Sequence, residues 1–211
     1  MAFDAPTAAL GLSTPYEDAI RAGSAGDWTL YALIKATIAA ESGWNPGAIN
    51  PSDPSYGLMQ VTPTTARFYA PAITPDDLLD PYTNIVIGSA YLRDLYRTHT
   101  LPDAVAMYNS GKARKNAQNQ YVNSAGSTQV QSYVDAVLTY LDYYMNRLPS
   151  QTPAGVFQNG TPEPGVVDVW LNALFGAPAP EPASEMAPTE DLGIGAGVGL
   201  LLLAGALALT R

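Results

Sequence analysis

Glu41 stands where a helix ought to carry a hydrophobic side chain. Leu30, Leu33, Ile34, Thr37, Ile38 and Glu41 recur at i, i+3, i+4, i+7, i+8 and i+11, the spacing of one buried stripe on an amphipathic helix. Asn45, Pro46 and Gly47 must stop that helix within about one turn, so the Glu41 carboxyl is expected at its end, half-buried. Removal from water disfavours the charged form of a carboxyl, which then holds its proton toward neutral pH. A general acid needs that property. A glutamate on a frayed helix end, pointing into water, is the plainer reading of the same position.

Further polar residues follow in short runs. Ser42 adjoins the acid and can either hydrogen-bond near its carboxyl or cap the helix end. Gly57-Leu58-Met59-Gln60 closes an irregular stretch, and Ala106-Met107-Tyr108-Asn109-Ser110-Gly111 closes a short apolar helix. Tyr108 and Asn109, just before Gly111, are well placed to face a groove. Tyr133 lies on the stripe Val130, Tyr133, Val134, Val137, Leu141, Tyr144, Met145 and Leu148, where spacing alone makes it core. Met59 reads equally as simple core filler.

This order and spacing resembles the soluble lytic transglycosylase family, whose lysozyme-like fold is related to goose-type lysozymes. The resemblance runs from about Trp28 to Asn146 and includes Asp80-Pro81, Asn84-Ile85, Gly88 and Tyr91-Leu92 between the second and third motifs. It implies that Glu41 is the single catalytic acid/base. The substrate implied is peptidoglycan, cut between N-acetylmuramic acid and N-acetylglucosamine to leave a 1,6-anhydro sugar. By the same resemblance Gly57 lets backbone approach the sugar, Met59 and Gln60 wall the cleft and bind its polar groups, and the Tyr133 hydroxyl reaches the Glu41 carboxyl. Ser42, Tyr108 and Asn109 complete the expected substrate site.

A retaining glycosidase needs a second carboxylate about 5 Å from the acid. The nearest acids in sequence are Asp53 in the irregular stretch, then Asp76 and Asp77. Asp53 on its loop leaves a hydrolytic lysozyme open. The chain also departs from the family pattern. Met107 and Ser110 stand where alanines are usual, Tyr56 replaces a small residue before Gly57, and Gln129-Val130-Gln131-Ser132 replaces a Glu-Thr-Arg run before Tyr133. None of these removes Glu41.

The 211 residues, 47% hydrophobic and 14% charged, suffice for one core with appendages. There are no cysteines, and His99 is the only histidine, expected on the surface near a helix end; no metal or cofactor site is legible. Residues 1–148 carry 13 acids against 9 Lys/Arg, net −4, and residues 149–211 carry 6 acids and one Arg, net −5. A chain so balanced in front and so acidic behind lacks the basic face that nucleic acid requires. Its one basic cluster, Lys112, Arg114 and Lys115, reads as a solvated loop.

Helical patterns over 28–43, 62–70, 82–98, 102–109 and 129–147, with no convincing strand, predict an all-α domain. Residues 1–27 read as an N-terminal arm, irregular over 1–15, and 28–148 as the catalytic domain. Residues 149–192 read as a Pro/Ala-rich linker with a short amphipathic piece around Trp170 and Phe175. Residues 193–210 form a hydrophobic tail, uncharged from Gly193 to Leu209 and near the lower length limit of a membrane span. Membrane insertion, packing in a homo-oligomer, or packing among virion proteins would each bury it.

The opening Met1-Ala2-Phe3-Asp4 begins no secretory signal. The expectation is therefore a phage virion that carries the enzyme to the host envelope or periplasm and opens the wall as the genome is delivered. A structural ejection-conduit subunit with a vestigial enzyme fold is the competing reading.

Overall fold

The computed structural model describes residues 5–148. The linker and hydrophobic tail expected over 149–210 lie outside these residues. Seven helices and one small antiparallel ladder make up the domain: α1 (Ala5–Leu10), α2 (Glu17–Ser24), α3 (Trp28–Ser42), β1 (Ile49–Asn50), β2 (Ser55–Tyr56), α4 (Pro63–Tyr69), a 3₁₀ turn at Asp77–Leu79, α5 (Pro81–Thr98), α6 (Leu101–Ser110) and α7 (Gln129–Arg147). The strands pair Ile49 with Tyr56 and Asn50 with Ser55. They are too short for alternation to show in the sequence.

The helix starts follow from local chemistry. Asp27, Thr62, Asp80 and Thr100 each accept a backbone N–H from three residues on, which satisfies a donor left over in the first turn. Pro63 and Pro81 then stand at first helical positions, where the missing N–H costs nothing. Gly43, with φ +59°, ends α3 as a left-handed C-cap.

The centre of the fold is α3. Every residue from Leu30 to Glu41 is buried, so the expected single stripe gives way to a helix enclosed on all sides. It packs between α7 and α2, with contacts to α5 and α1. Only Lys35 breaks its uncharged run before Glu41. Its ammonium, with 0% exposure, meets Glu17 at 2.5 Å and donates to the Gly11 carbonyl at 2.6 Å. It also lies 5.0 Å from the Tyr31 ring and 5.8 Å from that of Trp44, a placement that favours a cation.

The irregular arm expected over 1–15 is thereby corrected. Ala5–Leu10 is helical, Gly11 lies so close to Tyr144 and Trp44 that a Cβ has no room, and Ala8 is wholly buried. The physical reason is the buried Lys35: a charge removed from water needs partners, and Gly11 and Glu17 supply them.

Candidate active site

Glu41 occupies the last turn of α3, and its carboxyl is buried. Trp44, two residues past the helix, takes a left-handed φ of +68°, a strained conformation for a bulky residue. Its indole N–H donates to the Tyr144 hydroxyl at 3.2 Å, which ties the end of α3 to α7. From the same face of α7 the Tyr133 hydroxyl donates to Glu41 Oε1 at 2.6 Å. The other oxygen, Oε2, is buried with no hydrogen-bond partner.

Burial pushes the Glu41 carboxyl up to about 8, against a smaller downward pull from the Tyr133 hydroxyl. Burial thus favours the protonated form at neutral pH, with one oxygen anchored and one unclaimed. The influence of Glu41 reaches Tyr108 and Tyr133, whose phenols are raised first by burial and then by the Glu41 charge.

The loop after β2 holds the next motif. Gly57 has φ +71°, and a Cβ there falls 2.5 Å from both Asn84 Nδ2 and the Leu78 carbonyl. The position therefore makes room for protein rather than, as expected, for sugar. Met59, expected to wall the cleft, is fully buried against Gly88 and accepts a weak bond from Ser89. Gln60 donates its amide to the Ala48 and Gly57 carbonyls at 3.1 and 2.9 Å and accepts from Ser55 at 3.0 Å. Both of its donors are thus spent on holding the loop.

Tyr108 on α6 reaches this loop, donating its hydroxyl to the Met59 carbonyl at 2.9 Å. Its ring lies 5.3 Å from that of Tyr91. Asn109 sits half-buried beside it, two residues before Gly111, which caps α6 with φ +71°. Ser42 lies beside Glu41 in sequence but bonds back to the Ile38 carbonyl at 3.2 Å, the helix-end role rather than contact with the acid. The structure thus gathers Glu41, Tyr133 and Tyr108 into one group and uses Gly57, Met59 and Gln60 to build its wall from behind.

Two supporting residues had no assigned role in the sequence. Asn84 was visible as part of the Asp80–Leu92 pattern, and Lys35 as a lone charge in an uncharged helix. Apart from Leu78, their partners lie 18 to 28 positions away and could not be read locally.

A family model described as the transglycosylase SLT domain matches residues 18–131, more than half the chain. The chain belongs to this family. A soluble lytic murein transglycosylase of Escherichia coli K12 is 33% identical over 149 aligned residues, covering 61% of this chain and 23% of that one. Membrane-bound lytic murein transglycosylase F of Shewanella halifaxensis is 35% identical over 119, covering 50% and 23%. The crystal structure of the 70 kDa soluble lytic transglycosylase from E. coli superposes with a TM-score of 0.53 at 30% identity, over 62% of this chain and 24% of that one. The transglycosylase SLT domain here is mostly helical and lysozyme-like. The chain spans about a quarter of the length of these relatives.

Proposed function

We propose that this chain is a peptidoglycan lytic transglycosylase with Glu41 as its one catalytic acid/base. The observation that carries the reading is a buried carboxyl with one oxygen held by Tyr133 and the other unclaimed. Glu41 gives its proton to the glycosidic oxygen between N-acetylmuramic acid and N-acetylglucosamine as that C–O bond breaks and positive charge develops at C1. The resulting carboxylate takes the proton of the muramic C6 hydroxyl while O6 bonds to C1. The proton count closes without water, and a 1,6-anhydro end is the product. The family membership and the lytic transglycosylases among the relatives support this reaction class.

Asp53, the acid considered for a hydrolytic route, sits half-buried on the turn between β1 and β2. Burial raises its carboxyl too. Tyr133 is the side chain that bonds the Glu41 carboxyl, which favours a single acid. Digestion of purified peptidoglycan by the full chain, beside Glu41→Gln, tests the proposal by mass spectrometry. Anhydro-muropeptides from the wild type alone support it; reducing ends point to hydrolysis, and no product to a structural role.

The proposed place of action is the cell envelope, with residues 193–209, seventeen without a charge, as the membrane-associating part and a phage particle as the carrier. Flotation of the full chain with lipid vesicles, compared with a chain ending at 192, tests the first point. Mass spectrometry of purified particles tests the second.

A further inference from the structure

We propose that Asn84 is a positioning residue for the Glu41 site, acting through the main chain of Met59 on the hydroxyl of Tyr108. The side chain of Asn84 is wholly buried in the first turn of α5. Its Oδ1 accepts the Met59 N–H at 2.8 Å, and its Nδ2 donates to the Tyr56 and Leu78 carbonyls at 2.7 and 2.8 Å. Both amide hydrogens are used, and the slot they enter exists because Gly57 has no Cβ. The Met59 carbonyl, on the neighbouring peptide unit, accepts the Tyr108 proton. One buried amide thus sets where the Tyr108 proton goes.

The consequence is chemical rather than only architectural. A phenol that donates to a carboxylate stabilises its charged form and lowers its proton affinity, as Tyr133 already does to Glu41. A second such donor would lower that proton affinity again, toward neutral pH. With its proton committed to Met59, Tyr108 can offer its neighbours only lone pairs. Asn84 therefore keeps a second donor away from Glu41 while holding the Tyr108 ring in place against Tyr91 and Gly88.

The inference rests on the transglycosylase reading, so its test has two arms. In the first, kcat and KM on purified peptidoglycan are measured against pH for wild type, Asn84→Ala, Tyr108→Phe and the double variant, each normalised to folded protein by circular dichroism. For Asn84→Ala we expect kcat to fall about tenfold with KM little changed, and the alkaline limb of kcat/KM to move about one pH unit lower. On the Tyr108→Phe background the Asn84 substitution should leave the limb where it is. An activity loss that merely tracks unfolding, or the same limb shift without the Tyr108 hydroxyl, overturns the proposal. If Asn84→Ala does not fold, Asn84→Ser is read in the same way; failure of both to fold assigns Asn84 to the scaffold and overturns it too.

The second arm needs no turnover: amide exchange at Met59 and the ring resonances of Tyr108 are followed by NMR in the full chain. Faster Met59 exchange and shifted Tyr108 signals in Asn84→Ala sustain the relay even if the wild type proves inactive, in which case the functional reading alone fails. Unchanged signals overturn the relay whatever the activity.

Discussion

Tyr133 donates its hydroxyl to Glu41 at 2.6 Å from 92 residues downstream, and it is the sole hydrogen-bond donor to that carboxyl among the described residues. Removing it strips a charge-assisted bond from the carboxylate that forms once the acid has given up its proton. Tyr133→Phe should lower kcat about 10- to 100-fold, the worth of one hydrogen bond to a charged group. It should also move the alkaline limb of kcat/KM upward, because the one interaction that lowers the Glu41 proton affinity is gone. A limb that moves down would contradict the geometry.

Glu41 makes the native state pH-sensitive in a defined direction. Its ordinary value is 4.5 and its folded value about 8, so between these the native chain holds a proton that the unfolded chain releases. Stability from this group is complete below about pH 4.5, declines as pH rises, and levels off above about 8. The loss by pH 7 is on the order of 3 kcal/mol. Glu41→Gln, though inactive, should therefore melt with the wild type at pH 4 and roughly 6–12 °C above it at pH 7. Scanning calorimetry across that range checks it; a gap independent of pH would mean the carboxyl is not held protonated.

Activity should show the same group. The free acid donates only while protonated, so kcat/KM should fall tenfold per pH unit above about 8. Rates of anhydro-muropeptide release in overlapping buffers from pH 6 to 9.5 would reveal this limb, and a limb near pH 5 would rule out the buried acid as the proton donor.

Gly57 and Gly111 share φ +71°, but a Cβ at Gly57 meets Asn84 and the Leu78 carbonyl, while at Gly111 nothing lies within 4 Å. Gly111→Ala should cost about 1 kcal/mol in backbone strain. Gly57→Ala adds a clash with a buried amide and should cost about 3 kcal/mol or more. Urea midpoints of the two variants, measured together, test the difference.

The Lys35–Glu17 pair should respond unequally to its two halves. Lys35→Met fills the same space and leaves a partly exposed carboxylate, at a cost of about 1–3 kcal/mol. Glu17→Gln strands an ammonium with no exposure at all and should cost more at neutral pH. Thermal melts of both, and of the double variant, which should recover part of the Glu17→Gln loss, distinguish this from a surface ion pair.

Much of this architecture was legible because its signals are local. Periodicity alone places five helices to within two residues of their observed ends, and the structure adds the local caps Asp27, Thr62, Asp80 and Thr100. Helix α1, six residues long, left no such trace; Gly11, just past its end, packs on Tyr144 and Trp44 and accepts from Lys35, contacts that its own pattern does not show. The site divides in the same way. The motifs marked Gly57, Met59, Gln60, Tyr108 and Tyr133 as positions that matter, but whether Gly57 and Met59 face substrate or scaffold depends on Asn84, Gly88 and Ser89 of α5. Those contacts span 25 to 30 residues, beyond the reach of any local pattern.

The pairing of α3 with α7 also sets when, during synthesis, the Glu41 site becomes complete. The helix bearing Glu41 is synthesised early, yet Tyr133 and Tyr144 arrive 92 and 100 residues after their partners. Until then the acid has no enclosure and is an ordinary solvated carboxylate, unable to keep a proton near neutrality. On the proposed reaction, a ribosome-bound or prematurely ended chain should therefore leave peptidoglycan uncut, and α7 completes the site last.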